Sequence, residues 1–195
     1  MTPRKREEIL EYRKLMDYPW HSPPHTVTTK TLYHLSAACF EHKHIIGYSP
    51  ERMALFAKKL LVLLDTQAEK VLAWCVLPNH YHALIQTMDL QNILYEIGKM
   101  HGRLSNAWNR EENSRGRKCW YRCTDRAMRT KRHKLVTLNY INHNPVHHRY
   151  VTKWDAWPFS SAGEYLKTTP HDIIVERWKK YPLLDFGKGW DDPDL

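Results

Sequence analysis

Apolar and polar residues alternate over residues 31–40, where Leu32, His34, Ser36 and Ala38 fall on one side and Tyr33, Leu35, Ala37 and Cys39 on the other. A two-residue period of this kind predicts a strand. The period changes over residues 50–68, where Met53, Phe56, Ala57, Leu60, Leu61 and Leu64 recur at helical spacing behind Ser49-Pro50-Glu51. Serine supplies a cap there, proline suits the first helical position, and the acid suits the positive end of the helix dipole. Two more strands are expected at 71–77 and 80–87, separated by the turn signal Pro78-Asn79. Asp89 is a good N-cap for a second helix over 90–108, with Ile93, Leu94, Ile97, Met100 and Leu104 on one face and Lys99, His101 and Arg103 elsewhere. Residues 119–129 offer a fourth, short strand. A third helix over 131–143 carries Leu135, Leu138, Asn139 and Ile141, and is expected to stop at Asn144-Pro145, because a residue ahead of proline is pushed out of helical geometry.

The order strand, helix, strand, strand, helix, strand, helix predicts an α+β fold: an antiparallel sheet with helices on one face, of the ferredoxin or RNA-recognition type. This core spans 27–166, between a basic, proline-broken N-terminal arm at 1–26 and a polar C-terminal tail at 167–195.

Charge narrows the class of partner. The 195 residues hold 30 Lys and Arg against 21 Asp and Glu, a net +9, which favours a polyanion, nucleic acid first, over an acidic small substrate. Arg4, Lys5 and Arg6 in the arm, Lys99 and Arg103 on the second helix, and Arg122 and Arg129 around the fourth strand are the candidate phosphate contacts. No run of eighteen apolar residues and no signal-like N-terminal segment occurs, so a cytoplasmic protein without a membrane partner is expected, as monomer or homodimer. Cys39 and Cys75 sit in apolar runs, and Cys119 and Cys123 have no second pair downstream, so the four read as thiols rather than as a zinc site.

The candidate chemistry starts at His80 and His82. Side chains alternate along a strand, so the two imidazoles point the same way, with Leu84 and Gln86 behind them, and form half of a metal site. His42-Lys43-His44 has the same spacing but lies in a polar stretch ahead of Gly47 and reads as a solvated loop. On the third helix Tyr140 and Asn144 are four residues apart, which puts them on one face about 6 Å apart along the axis. If that face covers the histidine strand, Asn144 offers an amide oxygen to a metal and Tyr140 a phenol beside it. The alternative for Tyr140 is a core tyrosine with its hydroxyl at the rim. Spacing within each element does not bring the helix to the strand.

Four ordered segments, residues 74–82 (WCVLPNHYH), Trp120, 140–146 (YINHNPV) and 157–161 (WPFSS), together resemble the REP-associated tyrosine transposases, relatives of the single-tyrosine HUH transposases of bacterial insertion sequences. The resemblance covers about residues 31–165. It implies an HUH nuclease domain that cuts single-stranded DNA beside hairpins and rejoins it through a 5′-phosphotyrosine. It implies His80, His82 and Asn144 as ligands of Mg²⁺ or Mn²⁺, and Tyr140 as the nucleophile. The stretch 121–126 lacks the family's aromatic-acid-histidine run, and His147-His148 stands where a lysine and a small residue are usual. Two other functions fit the same features: a hairpin-binding DNA protein without cleavage, or an RNA-binding protein. The latter is weakened because neither 33–40 nor 71–77 carries a Lys-Gly-Phe-like aromatic signature.

Overall fold

A computed structural model describes residues 31–184, 186 and 187, together with Glu11. Arg4, Lys5, Arg6 and nearly all of the expected arm lie outside the described residues. The main elements are β1 (Thr31–Ala38), α1 (Pro50–Gln67), β2 (Lys70–Val76), β3 (His80–Thr87), α2 (Leu90–Glu111), β4 (Thr124–Ala127), α3 (Lys131–His147), α4 (Ala162–Thr168) and α5 (His171–Lys180). The strands form one sheet in the order β2-β3-β1-β4, with every neighbouring pair antiparallel. The helix starts follow from their caps. Ser49 Oγ accepts from the Arg52 amide at 3.2 Å, Asp89 Oδ1 from Asn92 at 3.0 Å, and Thr130 Oγ1 from His133 at 3.0 Å.

The expected α+β architecture and antiparallel sheet are present, but helices cover the sheet from both sides. Tyr33, Leu35 and Ala37 of β1 and Tyr81, Ala83 and Ile85 of β3 join Phe56, Leu60, Ile93, Ile97 and Trp108 of α1 and α2 in the larger core. On the opposite face Ala73, Cys75 and Leu84 meet Leu138, Tyr140 and Ile141 of α3. The one-face expectation therefore holds for α1 and α2 and is corrected by α3. The physical reason lies in β3, which is buried at every position but Gln86 and so needs cover on both faces.

A second correction concerns the end of α3, which runs through Pro145 to His147. Proline cannot donate to the Ile141 carbonyl. Burial of Asn144 and Pro145 outweighs that loss, and the following turn closes with His148 N donating to Asn144 O at 3.0 Å and Tyr150 N to Pro145 O at 2.9 Å.

The 157–161 segment covers the outer edge of β2. Val76 N donates to Phe159 O at 2.8 Å, Ser161 N to Trp74 O at 2.9 Å, and Trp157 Nε1 to Val76 O at 2.8 Å. Ser161 Oγ also donates to Asn142 Oδ1 at 3.2 Å, which ties α3 to the same edge. Here a motif quoted for its family resemblance has a local mechanical role, satisfying an edge strand and anchoring the helix above it.

His101 departs from its expected place off the apolar face of α2. It is buried and stacked on Trp120, ring centroids 4.0 Å apart and planes 2° apart, with Nε2 3.3 Å from the Tyr81 hydroxyl. Burial pushes its imidazole down to about 3 from the ordinary 6.5. The folded protein thus keeps His101 neutral at pH values where the unfolded chain protonates it. Stability contributed this way is complete above pH ~6.5 and is lost as pH falls toward 3, at up to ~1.4 kcal/mol per pH unit. His133 and His143, also lowered by burial, add to the same trend. In urea melts between about pH 6.5 and 5, His101→Phe is expected to flatten this slope by up to ~1.4 kcal/mol per unit. An unchanged slope contradicts the assignment.

Candidate active site

The turn before β3 fixes the first histidine. Leu77 N donates to His80 O at 2.8 Å, Cys39 N donates to the Asn79 carbonyl at 2.7 Å, and Asn79 Oδ1 lies 2.7 Å from His80 Nδ1. Ala38 and Ser36 of β1 stand opposite His80 and His82 in register. Both histidines are buried, at 2% and 1% exposure, with ring centroids 5.1 Å apart.

The α3 helix crosses directly above them. Asn144 Oδ1 lies 3.1 Å from His80 Nε2, and the Tyr140 hydroxyl lies 3.5 Å from His82 Nε2. All four residues expected from the sequence, His80, His82, Tyr140 and Asn144, are therefore side by side.

The protonation pattern says what the cluster can hold. Both His80 ring nitrogens face amide oxygens, Asn79 Oδ1 at Nδ1 and Asn144 Oδ1 at Nε2, and since an amide oxygen only accepts, a neutral His80 donates to one and turns its lone pair to the other. With the proton on Nδ1, the Nε2 lone pair and the Asn144 oxygen are two acceptors 3.1 Å apart, an arrangement that a cation between them relieves. His34 Nε2 lies 3.1 Å from His82 Nδ1; with His82 donating there, a second Nε2 lone pair turns toward the same space. Two imidazole nitrogens and one amide oxygen fit a divalent cation and leave coordination positions open. Among the described residues no three His, Cys, Asp or Glu side chains converge as a metal site.

Three neighbours of this cluster carried no signal that sequence reasoning could use. His34 lies in β1 in phase with Ser36, but only the strand register reveals that it supports His82. Arg126 of β4 pairs with His34 and is half-buried; burial lowers its guanidinium while interaction with Tyr140 raises it, which puts a cation beside the phenol. Gly187, at φ +88, sits against Tyr140 so closely that a Cβ there would come within 2.4 Å of ring atom Cε2. With Phe186 5.7 Å from the same ring, this turn leaves Tyr140 only 3% exposed.

The expected phosphate contacts scatter. Lys99 pairs with Glu96 at 2.8 Å, and it and the exposed Arg103 lie on α2, across the sheet from the histidines. Arg122 and Arg129 are exposed and flank β4 on either side.

The fold is similar to a solved structure of a REP-associated tyrosine transposase bound to a REP hairpin, with a TM-score of 0.59 over 76% of this chain and 88% of that one. Sequence identity between the two is 18%, so the likeness is one of fold. No protein-family model matches the chain, and no curated protein matches it significantly.

His34 supplies a test of the lone-pair arrangement. A support of this kind orients a ligating imidazole, and His34→Ala is expected to weaken Mn²⁺ binding about 10- to 100-fold. His34→Gln, whose amide oxygen can still accept from His82 Nδ1, should retain most of the affinity. Calorimetric titration with Mn²⁺ measures both; equal affinities for wild type and His34→Ala contradict the role.

Proposed function

We propose that the chain is a metal-dependent endonuclease and transposase of single-stranded DNA hairpins that cleaves and rejoins strands through a 5′-phosphotyrosine on Tyr140. The observation that carries this reading is the meeting of the Tyr140 phenol with the His80, His82 and Asn144 donors on one buried patch. The fold likeness to a transposase bound to a hairpin and the net charge of +9 support the choice of DNA as partner. Among the described residues no helix is long and apolar enough to cross a membrane.

His80, His82 and Asn144 would hold Mg²⁺ or Mn²⁺, which supplies a Lewis acid at the phosphate when bound. Tyr140 provides the nucleophile. Its phenol loses a proton, its oxygen forms a bond to phosphorus, and the bond from phosphorus to the 3′ oxygen breaks, the 3′-hydroxyl taking up a proton as it leaves. Attack of another 3′-hydroxyl on the phosphotyrosine reverses these bond changes and joins strands without ATP. Arg126 places a positive charge beside the phenol, the sign required by a phosphate that gains charge as the reaction proceeds.

Incubation with single-stranded hairpins and Mn²⁺ should yield a covalent protein–DNA adduct, with the nucleotide on the peptide containing Tyr140. Tyr140→Phe should abolish the adduct and keep hairpin binding, and Tyr150→Phe should leave both intact. Hairpin binding with no adduct in the wild type would favour the non-cleaving reading. A label on another tyrosine would overturn the nucleophile.

A further inference from the structure

Beside the histidines lies an aromatic cluster that neither core uses. The Phe40 and Tyr121 rings are 5.1 Å apart, His42 is 6.0 Å from Tyr121, and Lys118 Nζ sits 4.7 Å from the Phe40 centroid and 5.6 Å from that of Tyr121. Tyr121 is 36% exposed, and Phe40 and His42 are partly exposed. Phe40 and Tyr121 belong to neither apolar cluster, so their rings are not core rings that reach the surface.

The backbone holds this cluster firmly and at some cost. Phe40 N donates to Cys119 O at 2.9 Å and Tyr121 N to Ala38 O at 2.9 Å, around a bridge between Cys39 and Trp120. Glu41 and His42 then take left-handed conformations, with φ 54 and 50, which non-glycine residues rarely adopt. The turn keeps this strain while presenting Phe40 and His42 next to Tyr121.

Its position links it to the candidate site. Ala38 pairs with His80, and Phe40 lies two residues further along the chain, about 7 Å at strand spacing. The Asn79 carbonyl accepts from Cys39, and the Asn79 side chain holds His80. The rings therefore sit at the His80 end of the sheet, on the same short segments that orient the first histidine.

We propose that Phe40, His42, Tyr121 and Lys118 form a stacking site for one unpaired base of a DNA strand, next to the position of the scissile phosphate. The inference rests on the nuclease reading for that location and on the cluster itself for the chemistry. A base stacks by its face on an aromatic ring, and only an unpaired base offers that face, which selects single-stranded over duplex DNA. The long, exposed side chain of Lys118 carries its ammonium over the Phe40 and Tyr121 rings, and on swinging aside it can meet the phosphate of a nucleotide stacked there. Glu41, the acid in the turn, is paired with Lys43 at 2.7 Å. An apolar peptide partner would gain nothing from the cation beside the rings, whereas a nucleotide uses both ring and charge.

The test uses the full chain and single-stranded oligonucleotides, with and without a hairpin, carrying 2-aminopurine at successive positions, all measured without metal. Wild type should quench the fluorescence at one position, and Tyr121→Ala should abolish that quenching and weaken binding about 10-fold. Tyr121→Phe, which keeps the ring, should restore both. An abasic nucleotide at the quenched position should weaken wild type and leave Tyr121→Ala unaffected. Quenching at no position, or equal weakening of both proteins by the abasic nucleotide, overturns the site. Adduct formation on Tyr140, measured separately, reports on the nuclease reading: quenching without an adduct leaves the stacking site standing, and an adduct without quenching removes it.

Discussion

Packing of α3 against the even-numbered face of β3 is the contact on which the site depends. Leu138 and Ile141 close over Ala73, Cys75, Leu77 and Leu84 in a small, fully apolar cluster. That same closure brings Tyr140 to His82 and Asn144 to His80. The hydrogen bond from Ser161 to Asn142 fixes the rotation of the helix, so its polar residues meet the histidines rather than solvent. A helix turned by one residue would present the wrong side chains altogether.

Burying this much polarity has a cost that the arrangement only partly offsets. Asn79 and His34 each meet one ring nitrogen of a histidine, and the two Nε2 atoms meet oxygens, the Asn144 amide and the Tyr140 hydroxyl. A buried polar group left without a suitable partner typically costs 1–3 kcal/mol, as an order of magnitude. The Asn144 Nδ2 atom has no hydrogen-bond partner among the described residues. The Tyr140 hydroxyl can donate to His82 Nε2, so the cost falls chiefly on the Asn144 amide.

The sequence made the local elements legible because each is governed by neighbours within a few positions. Ser49 and Asp89 cap the helices expected to follow them, and the strand from His80 to Thr87 begins and ends where its alternation does. Nonlocal pairings were beyond it. That α3 lies on the far face from α1 and α2 follows from the two-sided burial of β3, which His80, His82 and Gln86 disguise as a half-polar strand. Pro145 argued locally for a helix end that tertiary packing overrides. His34 and Arg126 matter through cross-strand register, and His101 through its stack on Trp120, none of which has a signature within its own segment. The juxtaposition of Tyr140 with the histidines was expected from family resemblance rather than from periodicity, and the geometry brings the same residues together.

The central claim is that His80, His82 and Asn144 form one cation site beside Tyr140, and anomalous diffraction from crystals soaked in Mn²⁺ tests it most directly. The expected result is a single strong manganese peak bonded to His80 Nε2, His82 Nε2 and Asn144 Oδ1, absent from crystals of His82→Ala. A peak that omits Asn144, or no peak between the two imidazoles at saturating Mn²⁺, would contradict it.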